Sequence, residues 1–242
     1  MGQRQPPRET PMAATRADAA AGQDYLYLSV EEIPWEPAAT PTGELKRIFE
    51  DPDDRIESRL VRYAKGGETS GEPSLLGREV IVVEGDFEAD GERLGKCDFH
   101  RSVGASVTGR TEKGCVLFTV REIARDAGTG EAPDVGSLAE AVYVRWAEGS
   151  WSELGNGTRL KRLAHDATHR FEVSFVHMDV GASFPPHRHS GAEELYVLEG
   201  DCLCQGRRLG PGDYHRSAAG TEHQENRSEG GAAIIMVRHD VM

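Results

Sequence analysis

Several features that would define a function class are missing from this sequence. No hydrophobic run approaches the roughly 20 residues needed to span a bilayer, and Met1–Gln23 has no hydrophobic centre of the kind found in secretory signals. Positive charge is scarce, because 28 Lys and Arg stand against 41 Asp and Glu and give a formal net charge of −13. Such an acidic chain binds nucleic acid and anionic membranes poorly, so we expect neither as a partner.

Cysteine is also scarce, with four residues in the 242: Cys97, Cys115, Cys202 and Cys204. They form neither a CxxC motif nor a disulfide framework, so a reducing cytoplasm is the expected compartment. Cys202 and Cys204 are two apart and would face one side of a strand. A metal role is open to that pair, while burial as small hydrophobic side chains is the usual alternative.

Short runs of β-branched and aromatic residues, separated by Gly, Pro, Asp and Ser, fill most of the chain. Short strand-forming runs separated by turn residues are typical of an all-β barrel. The runs that we expect to be strands are Glu79–Glu84, Cys115–Val120, Arg170–Val176, Glu194–Leu198 and Ala232–Val237. Ser137–Trp146 could pass for a helix, but its Val142–Val144 repeats the pattern of Leu26–Leu28 and favours a strand.

An internal repeat divides the chain. Adding 115 to the residue numbers of Leu45–Ser102 gives Leu160–Ser217 without a gap, and roughly a third of the positions are identical. Two repeats of about a hundred residues predict two linked domains. We expect a disordered tail at 1–24, a first domain at 25–126, a linker at 127–136 and a second domain at 137–242.

One segment of the second repeat carries metal-binding chemistry. His187 and His189 are two apart, so on a strand their imidazoles face the same side. Glu193 follows a Ser-Gly pair that suits a turn, and His223 supplies a third imidazole downstream. Three neutral imidazoles and one carboxylate predict a site for a first-row transition metal.

Glu194 is the alternative carboxylate. Strand alternation places Leu195 and Val197 on the side of Glu193, and these side chains suit a barrel interior. The same alternation places Glu194 and Tyr196 on a mixed outer side. We therefore expect Glu193 to be the ligand.

The spacing of these residues resembles that of the cupin family. Eight residues match its two motifs: Gly181, His187, His189, Glu193, Gly200, Gly212, Gly220 and His223. Two positions depart from the second motif, since Ala218 stands where proline is usual and Asn226 comes one residue early.

Within the superfamily, the segment is most similar to the C-terminal domain of the ChrR anti-sigma factors. The resemblance implies two tandem cupin barrels of the double-stranded β-helix, or jelly-roll, type. It also implies a metal bound by the four residues that correspond to the zinc ligands of that family: His187, His189, Glu193 and His223. The first forty residues contain no His or Cys for a zinc-binding anti-sigma domain, so we expect a free-standing bicupin.

The first repeat lacks these ligands. The residues at the corresponding positions are Glu72, Ser74, Arg78 and Thr108. We therefore expect one metal site, in the second domain. His215 lies near the ligand set in sequence, but its counterpart His100 occurs in the copy without ligands, which favours a structural role for both.

Two function classes follow from the resemblance. With Fe(II), or with Mn, Ni or Cu, the site would bind a small diketone, hydroxy-ketone or aromatic substrate and act as a dioxygenase. With zinc, it would be a sensor or a regulatory binding module. Sugar epimerases and isomerases share the barrel but normally work without metal, so the complete ligand set argues against them.

The sequence identifies no catalytic residue beyond the ligands. Five residues are candidates for a general base by proximity alone, and surface exposure is the favoured alternative for most of them: His165, His169, His177, Glu172 and Tyr196. The expected partner is a small molecule. The internal repeat is compatible with a monomer that contains its own pseudo-dimer and with a homodimer.

Overall fold

The computed structural model describes residues 24–38, 43–51, 56–69, 79–102, 109–122, 142–166 and 171–239. Within these ranges the protein is all-β, as predicted, with one 3₁₀ turn at Val30–Glu32 and no α-helix. No helix in the described part is long and apolar enough to cross a membrane. The predicted tail up to Gln23 and the predicted linker at 127–136 lie outside the described residues, as do Glu72, Ser74, Arg78, Thr108 and His169.

Ten strands lie in the described residues up to Glu122: β1 (Tyr25–Ser29), β2 (Glu36–Pro37), β3 (Gly43–Asp51), β4 (Ile56–Tyr63), β5 (Glu79–Gly85), β6 (Phe87–Ala89), β7 (Glu92–Leu94), β8 (Phe99–Arg101), β9 (Gly109–Arg110) and β10 (Cys115–Glu122). Thirteen lie in the described residues from Val142 onward: β11 (Val142–Val144), β12 (Ser152–Gly155), β13 (Thr158–Asp166), β14 (Phe171–Met178), β15 (Ser183–Phe184), β16 (His187–Arg188), β17 (Glu193–Gly200), β18 (Cys202–Cys204), β19 (Arg207–Leu209), β20 (Asp213–Ser217), β21 (Glu222–His223), β22 (Asn226–Arg227) and β23 (Ala232–His239). The five predicted strands are β5, β10, β14, β17 and β23, and Val142–Val144 is a strand as well.

Each half of the protein packs a large antiparallel sheet against smaller ones. The first large sheet has the order β11-β8-β5-β10-β4-β3-β2, and β7-β6-β9 packs against it. The second has the order β1-β20-β17-β23-β14-β13-β12, and it packs against β15-β22-β18-β19 beside the pair β16-β21. Two tandem cupin folds, as predicted, account for this layout.

The repeat seen in the sequence is a repeat of backbone geometry. The pairing of β3 with β4 shifts register between Arg47 and Phe49, and the pairing of β13 with β14 shifts between Arg162 and Ala164, 115 residues later. The register shifts of the two sheets are therefore separated by the same 115 residues as the matching positions of the sequence.

The two halves exchange their opening strands. β1 of the first repeat pairs with β20 from Tyr25↔Ser217 to Ser29↔Asp213, whereas β11 of the second repeat pairs with β8. The predicted ranges 25–126 and 137–242 describe the halves in sequence order. In space, each large sheet is completed by a strand from the other repeat.

Three hydrophobic cores follow from strand alternation. Leu195 and Val197 point into the interior of the second half, whereas Tyr196 and Leu198 point to a core shared between the two large sheets. Tyr196 and Phe118 of the first half pack with ring centroids 5.4 Å apart. The side of β17 predicted to be the mixed outer one is therefore covered by the first half, because the repeats dock through these faces.

Candidate metal centre

Two short strands bring three histidines together. β16 pairs with β21 so that His187 lies directly across from His223. The pairing continues to His189, whose backbone N–H donates to the carbonyl of Thr221 at 2.9 Å. The centroids of the three imidazole rings are between 4.5 and 5.2 Å apart, so their edges converge on one point.

Glu193 begins β17 and directs its carboxylate toward these rings. Its Oε2 lies 3.8 Å from Nδ1 of His189, and its Oε1 lies 3.6 Å from Nδ1 of His223. One ligand atom from each of His187, His189, Glu193 and His223 lies within 4.8 Å of all the others. The structure thus brings together the four residues that the sequence predicts as ligands.

The hydrogen bonds of the histidines leave nitrogen lone pairs free. Nδ1 of His187 donates to the carbonyl of Pro185 at 2.9 Å, so Nε2 keeps the lone pair. Nε2 of His189 and Nδ1 of His223 are buried and have no hydrogen-bond partner among the described residues. A buried polar atom without a partner costs about 1–3 kcal/mol, and coordination of a cation would remove that cost.

The other edge of the His223 ring is well occupied. Its Nε2 lies 2.7 Å from Oγ of Ser217, 3.0 Å from Nε2 of His215 and 3.6 Å from Sγ of Cys204. His215 is fully buried and stacks on Tyr27 with centroids 4.4 Å apart. His215 therefore has the predicted structural contact and also touches a candidate ligand.

Burial controls the protonation of the cluster. It lowers the pKa of His189 to about 4 and, together with the neighbouring imidazoles, lowers the pKa of His223 to about 2. It raises the pKa of Glu193 to about 7, against the opposing charge of Arg238. Both imidazoles are consequently neutral at physiological pH, which is the form that binds metal, and a divalent cation would favour the charged form of Glu193. The donor set fits a zinc or first-row transition-metal ion.

A small cavity adjoins the cluster. Its free volume is about 30 Å³, and since one water requires about 10–15 Å³ by this measure, it has room for two waters or a dioxygen molecule. The residues that line it are Val176, Met178, Phe184, His187, Glu193, Leu195, Cys202, Asn226, Ile234 and Met236. His187 is half-buried, so the cluster is accessible from that side.

Of the five side chains considered as general bases, the four that the structure describes do not line this cavity. Tyr196 packs on the first half, and buried Glu172 binds Arg162 and Arg238, each at 2.6 Å. His177 packs against an aromatic cluster, and His165 lies 4.0 Å from Glu172. His169 lies outside the described residues. The expectation of surface exposure is wrong for Glu172 and Tyr196, because an ion-pair network buries one and the interface between the halves buries the other.

The sequence left the role of Cys202 and Cys204 open, and the structure places both beside the His and Glu cluster. Cys202 lines the cavity, Cys204 contacts His223, and all four cysteines are free thiols. Burial raises the pKa of Cys202 to about 12 and that of Cys204 further, so both remain protonated. The repeat offered a signal, because Phe87 and Ala89 stand at these positions in the first copy and the pair therefore differs between the copies, as the ligands do.

Comparison with known proteins agrees with this geometry. Residues 139–242 match the model of the ChrR Cupin-like domain. None of the curated proteins matches the chain.

Solved structures match over both halves. A candidate glyoxylate-induced protein from Pseudomonas aeruginosa is 15% identical, with a TM-score of 0.68 over 90% of this chain and 89% of its own. A candidate dioxygenase from Nostoc punctiforme is 12% identical, with a TM-score of 0.67 over 90% and 84%. The oxalate decarboxylase of Lactobacillus farciminis is 10% identical, with a TM-score of 0.61 over 90% and 86%.

At these identities the likeness to solved structures shows the fold alone. The fold extends over both halves, and the family match covers the half that holds the His and Glu cluster. The second half of the chain, residues 139–242, is therefore a ChrR-like cupin domain, and the likeness in fold extends over the first half.

Proposed function

We propose that the protein is a mononuclear metal-dependent dioxygenase. In this proposal one divalent ion, Fe(II), is held by His187, His189, Glu193 and His223. The observation that carries this proposal is the cavity beside the cluster. A structural zinc site is closed by its four ligands, whereas a catalytic metal keeps a position open to a substrate. Here the free volume reaches His187 and Glu193, which are two of the four ligands.

The residues around such a metal ion would have different roles. A bound Fe(II) would supply a Lewis acid that takes up an oxygen-donor substrate and dioxygen. Glu193 would reduce the net positive charge of the site, and the three imidazoles would hold the ion without adding charge. Six apolar side chains around the cavity exclude bulk water: Val176, Met178, Phe184, Leu195, Ile234 and Met236.

The lining also selects the substrate by charge. Among the described residues that line the cavity there is a carboxylate, Glu193, and no Lys or Arg. The bound ion could pair with one carboxylate of a dicarboxylate such as oxalate, but no cationic side chain of the described lining would pair with the second, whose charge would be costly in this apolar space. We therefore propose an uncharged diketone, hydroxy-ketone or aromatic ligand, bound on the open side beside His187.

A zinc-binding regulatory module is the second candidate. It is favoured by the ChrR-like second half, and by the fact that four protein side chains suffice for tetrahedral zinc. The two candidates differ in the metal that the protein retains and in whether oxygen is consumed.

Elemental analysis of untagged protein, purified without oxygen and without added metal, tests the proposal. We expect about one iron per chain, because the site supplies four ligands for one ion. Oxygen uptake with small diketones and hydroxy-ketones should follow, with oxalate as the charged control. Zinc that resists chelation, without oxygen uptake in the iron-loaded protein, would overturn the dioxygenase and leave the regulatory module.

Replacing a ligand tests the site itself. We expect His187→Ala and His223→Ala to abolish stoichiometric metal binding, because each removes one of four donors. The matched controls are alanine substitutions of Glu72 and Thr108, the corresponding positions of the first repeat, which should leave metal content unchanged. Full metal content in His187→Ala would show that the ion is bound elsewhere.

A further inference from the structure

Strand β1 belongs to the first repeat in sequence but lies against the candidate metal centre. The carbonyl of Leu26 accepts a hydrogen bond from Nδ1 of His215 at 3.0 Å, and the ring of Tyr27 stacks on His215 with centroids 4.4 Å apart. The hydroxyl of Tyr25 donates to the carbonyl of Glu222, the residue before His223. Three successive residues of the exchanged strand thus contact the surroundings of His223.

These contacts determine which nitrogen of each ring carries hydrogen. A carbonyl only accepts, so Nδ1 of His215 is the protonated nitrogen and its Nε2 keeps the lone pair. That lone pair lies 3.0 Å from Nε2 of His223, which must therefore be the N–H donor. Oγ of Ser217 lies 2.7 Å from Nε2 of His223 and 3.0 Å from Nε2 of His215, so this hydroxyl can accept from His223 and donate to His215. The remaining lone pair of His223 is on Nδ1, the atom that lies 3.6 Å from the Glu193 carboxylate.

The first repeat contains the same stack without a ligand to orient. His100 stacks on Tyr143 of the exchanged strand β11 with centroids 4.4 Å apart. Its Nε2, however, lies 2.9 Å from the Asp90 carboxylate. Because Gln205 occupies the position of Asp90 in the second repeat, the Nε2 of His215 is left to bind His223.

We infer that His215, held by the exchanged strand β1, is a positioning residue for the metal: it accepts the hydrogen bond that keeps Nδ1 of His223 free for the ion. This inference rests on the proposed metal site. It makes a strand of the first repeat part of the support for a centre whose four ligands all come from the second. Loss of such a supporting hydrogen bond lowers metal affinity by about 10- to 100-fold in other sites.

The tautomer can be measured without any metal. We expect nitrogen-15 NMR of the full-length, metal-free protein to show His223 protonated at Nε2 and His215 protonated at Nδ1. A His223 protonated at Nδ1 would overturn the inference, whatever the protein's activity.

Affinity for zinc alone, measured by competition with a chromophoric chelator, gives the second readout. We expect His215→Phe to weaken zinc binding by about 10- to 100-fold, because phenylalanine keeps the stack on Tyr27 but cannot accept a hydrogen bond. The matched control is His100→Phe, which should change the affinity less than about twofold, since it makes the same replacement beside no ligand. Equal affinities in the two variants would overturn the inference.

Three further variants separate the alternatives. If His215→Phe does not fold, Tyr27→Leu tests the support of His215 by the exchanged strand, and Tyr143→Leu is its matched control in the first repeat. We expect weaker zinc binding in Tyr27→Leu and unchanged binding in Tyr143→Leu. Cys204→Ser should leave affinity unchanged; a loss equal to that of His215→Phe would mean that zinc binds on the Cys204 side of His223, against the inference. A wild-type protein that binds no zinc or iron would instead refute the proposed function, while the NMR result would still decide the tautomer.

Discussion

Glu193 and Glu194 occupy adjacent positions at the start of β17, and strand alternation sends their carboxylates to opposite sides. Glu193 lies beside the apolar cavity, where burial raises its pKa to about 7. Burial also acts on Glu194, but the hydrogen bond from His239 at 2.6 Å and the nearby positive charges outweigh it and lower the pKa. The counterpart of Glu194 in the first repeat is Glu79, which binds Arg101 at 3.2 Å. Glu194 therefore has the structural role and Glu193 the candidate ligand role.

Glu172 is a buried carboxylate whose contribution to stability depends on pH. Burial raises its pKa, but hydrogen bonds from Arg238 and Ser174 and the charge of Arg162 outweigh burial, so the net shift is downward. A lowered folded-state pKa stabilises the protein above the unfolded value of 4.5, and this contribution is lost as the pH falls through the folded pKa. We expect Glu172→Gln to lower the free energy of unfolding by about 1.5–3 kcal/mol at pH 7.

Urea denaturation of wild type and Glu172→Gln at several pH values from 7 downward measures this difference. The difference should be largest at neutral pH and should decrease once the pH falls below about 4.5, the ordinary pKa of a glutamate. A difference that stays constant down to pH 3 would mean that the Glu172 charge contributes nothing.

Among the strands, β17 shows why a motif glycine is required. At Gly200 the backbone has φ of +77°, and a Cβ there would lie 1.8 Å from the carbonyl oxygen of Gly231. Gly85, its counterpart in the first repeat, has φ of +81° and would place a Cβ 2.0 Å from the carbonyl oxygen of Gly114. Because this requirement occurs in both copies, the glycine serves the close approach of neighbouring strands rather than the metal.

Gly200→Ala tests this close approach against a control with the same backbone angle. Gly206 has φ of +76°, and a Cβ there would have no atom within 4 Å, so Gly206→Ala carries the cost of the left-handed conformation alone, about 1–2 kcal/mol. We expect Gly200→Ala to cost about 1–3 kcal/mol more, because the backbone must also move. Unfolding in urea measures both, and equal losses would remove the steric argument.

At the scale of the whole molecule, the two halves share structure in two ways. Each large sheet receives one strand from the other repeat. The faces of the sheets also pack together in a common core that includes Phe49 and Phe118 from the first half and Phe175 and Tyr196 from the second. Separating the halves would break the pairing of both exchanged strands and expose the shared core, so we expect the halves to unfold together.

Phe118→Ala tests this coupling. Phe118 is 1% exposed and packs on Tyr196 of the other half, so we expect a loss of about 3–5 kcal/mol. The loss should appear in a single urea transition. Intrinsic tryptophan fluorescence and release of bound zinc should report the same midpoint, because the first probe includes Trp35 of the first half and the second follows the metal centre. Separate midpoints for the two probes would show that the halves unfold independently.

The sequence was enough to predict the strands and the four residues that the structure brings together. His187 and His189 were placed on one side by their spacing of two, and Glu193 was separated from Glu194 by the alternation of apolar side chains after it. The second copy of each motif showed which glycines and charged residues serve the fold. The addition of His223, thirty residues beyond Glu193, also drew on the spacing of the cupin motifs.

The tertiary structure alone decided what surrounds those ligands. The hydrogen bond between Leu26 and His215 joins residues 189 positions apart, and sequence periodicity records how a strand alternates but not which sheet it joins. Likewise, Tyr196 was expected on an outer side, and only docking of the repeats showed that this side is buried. The side to which each candidate ligand points follows from local strand alternation, whereas the environment of these residues arises from contacts between distant segments.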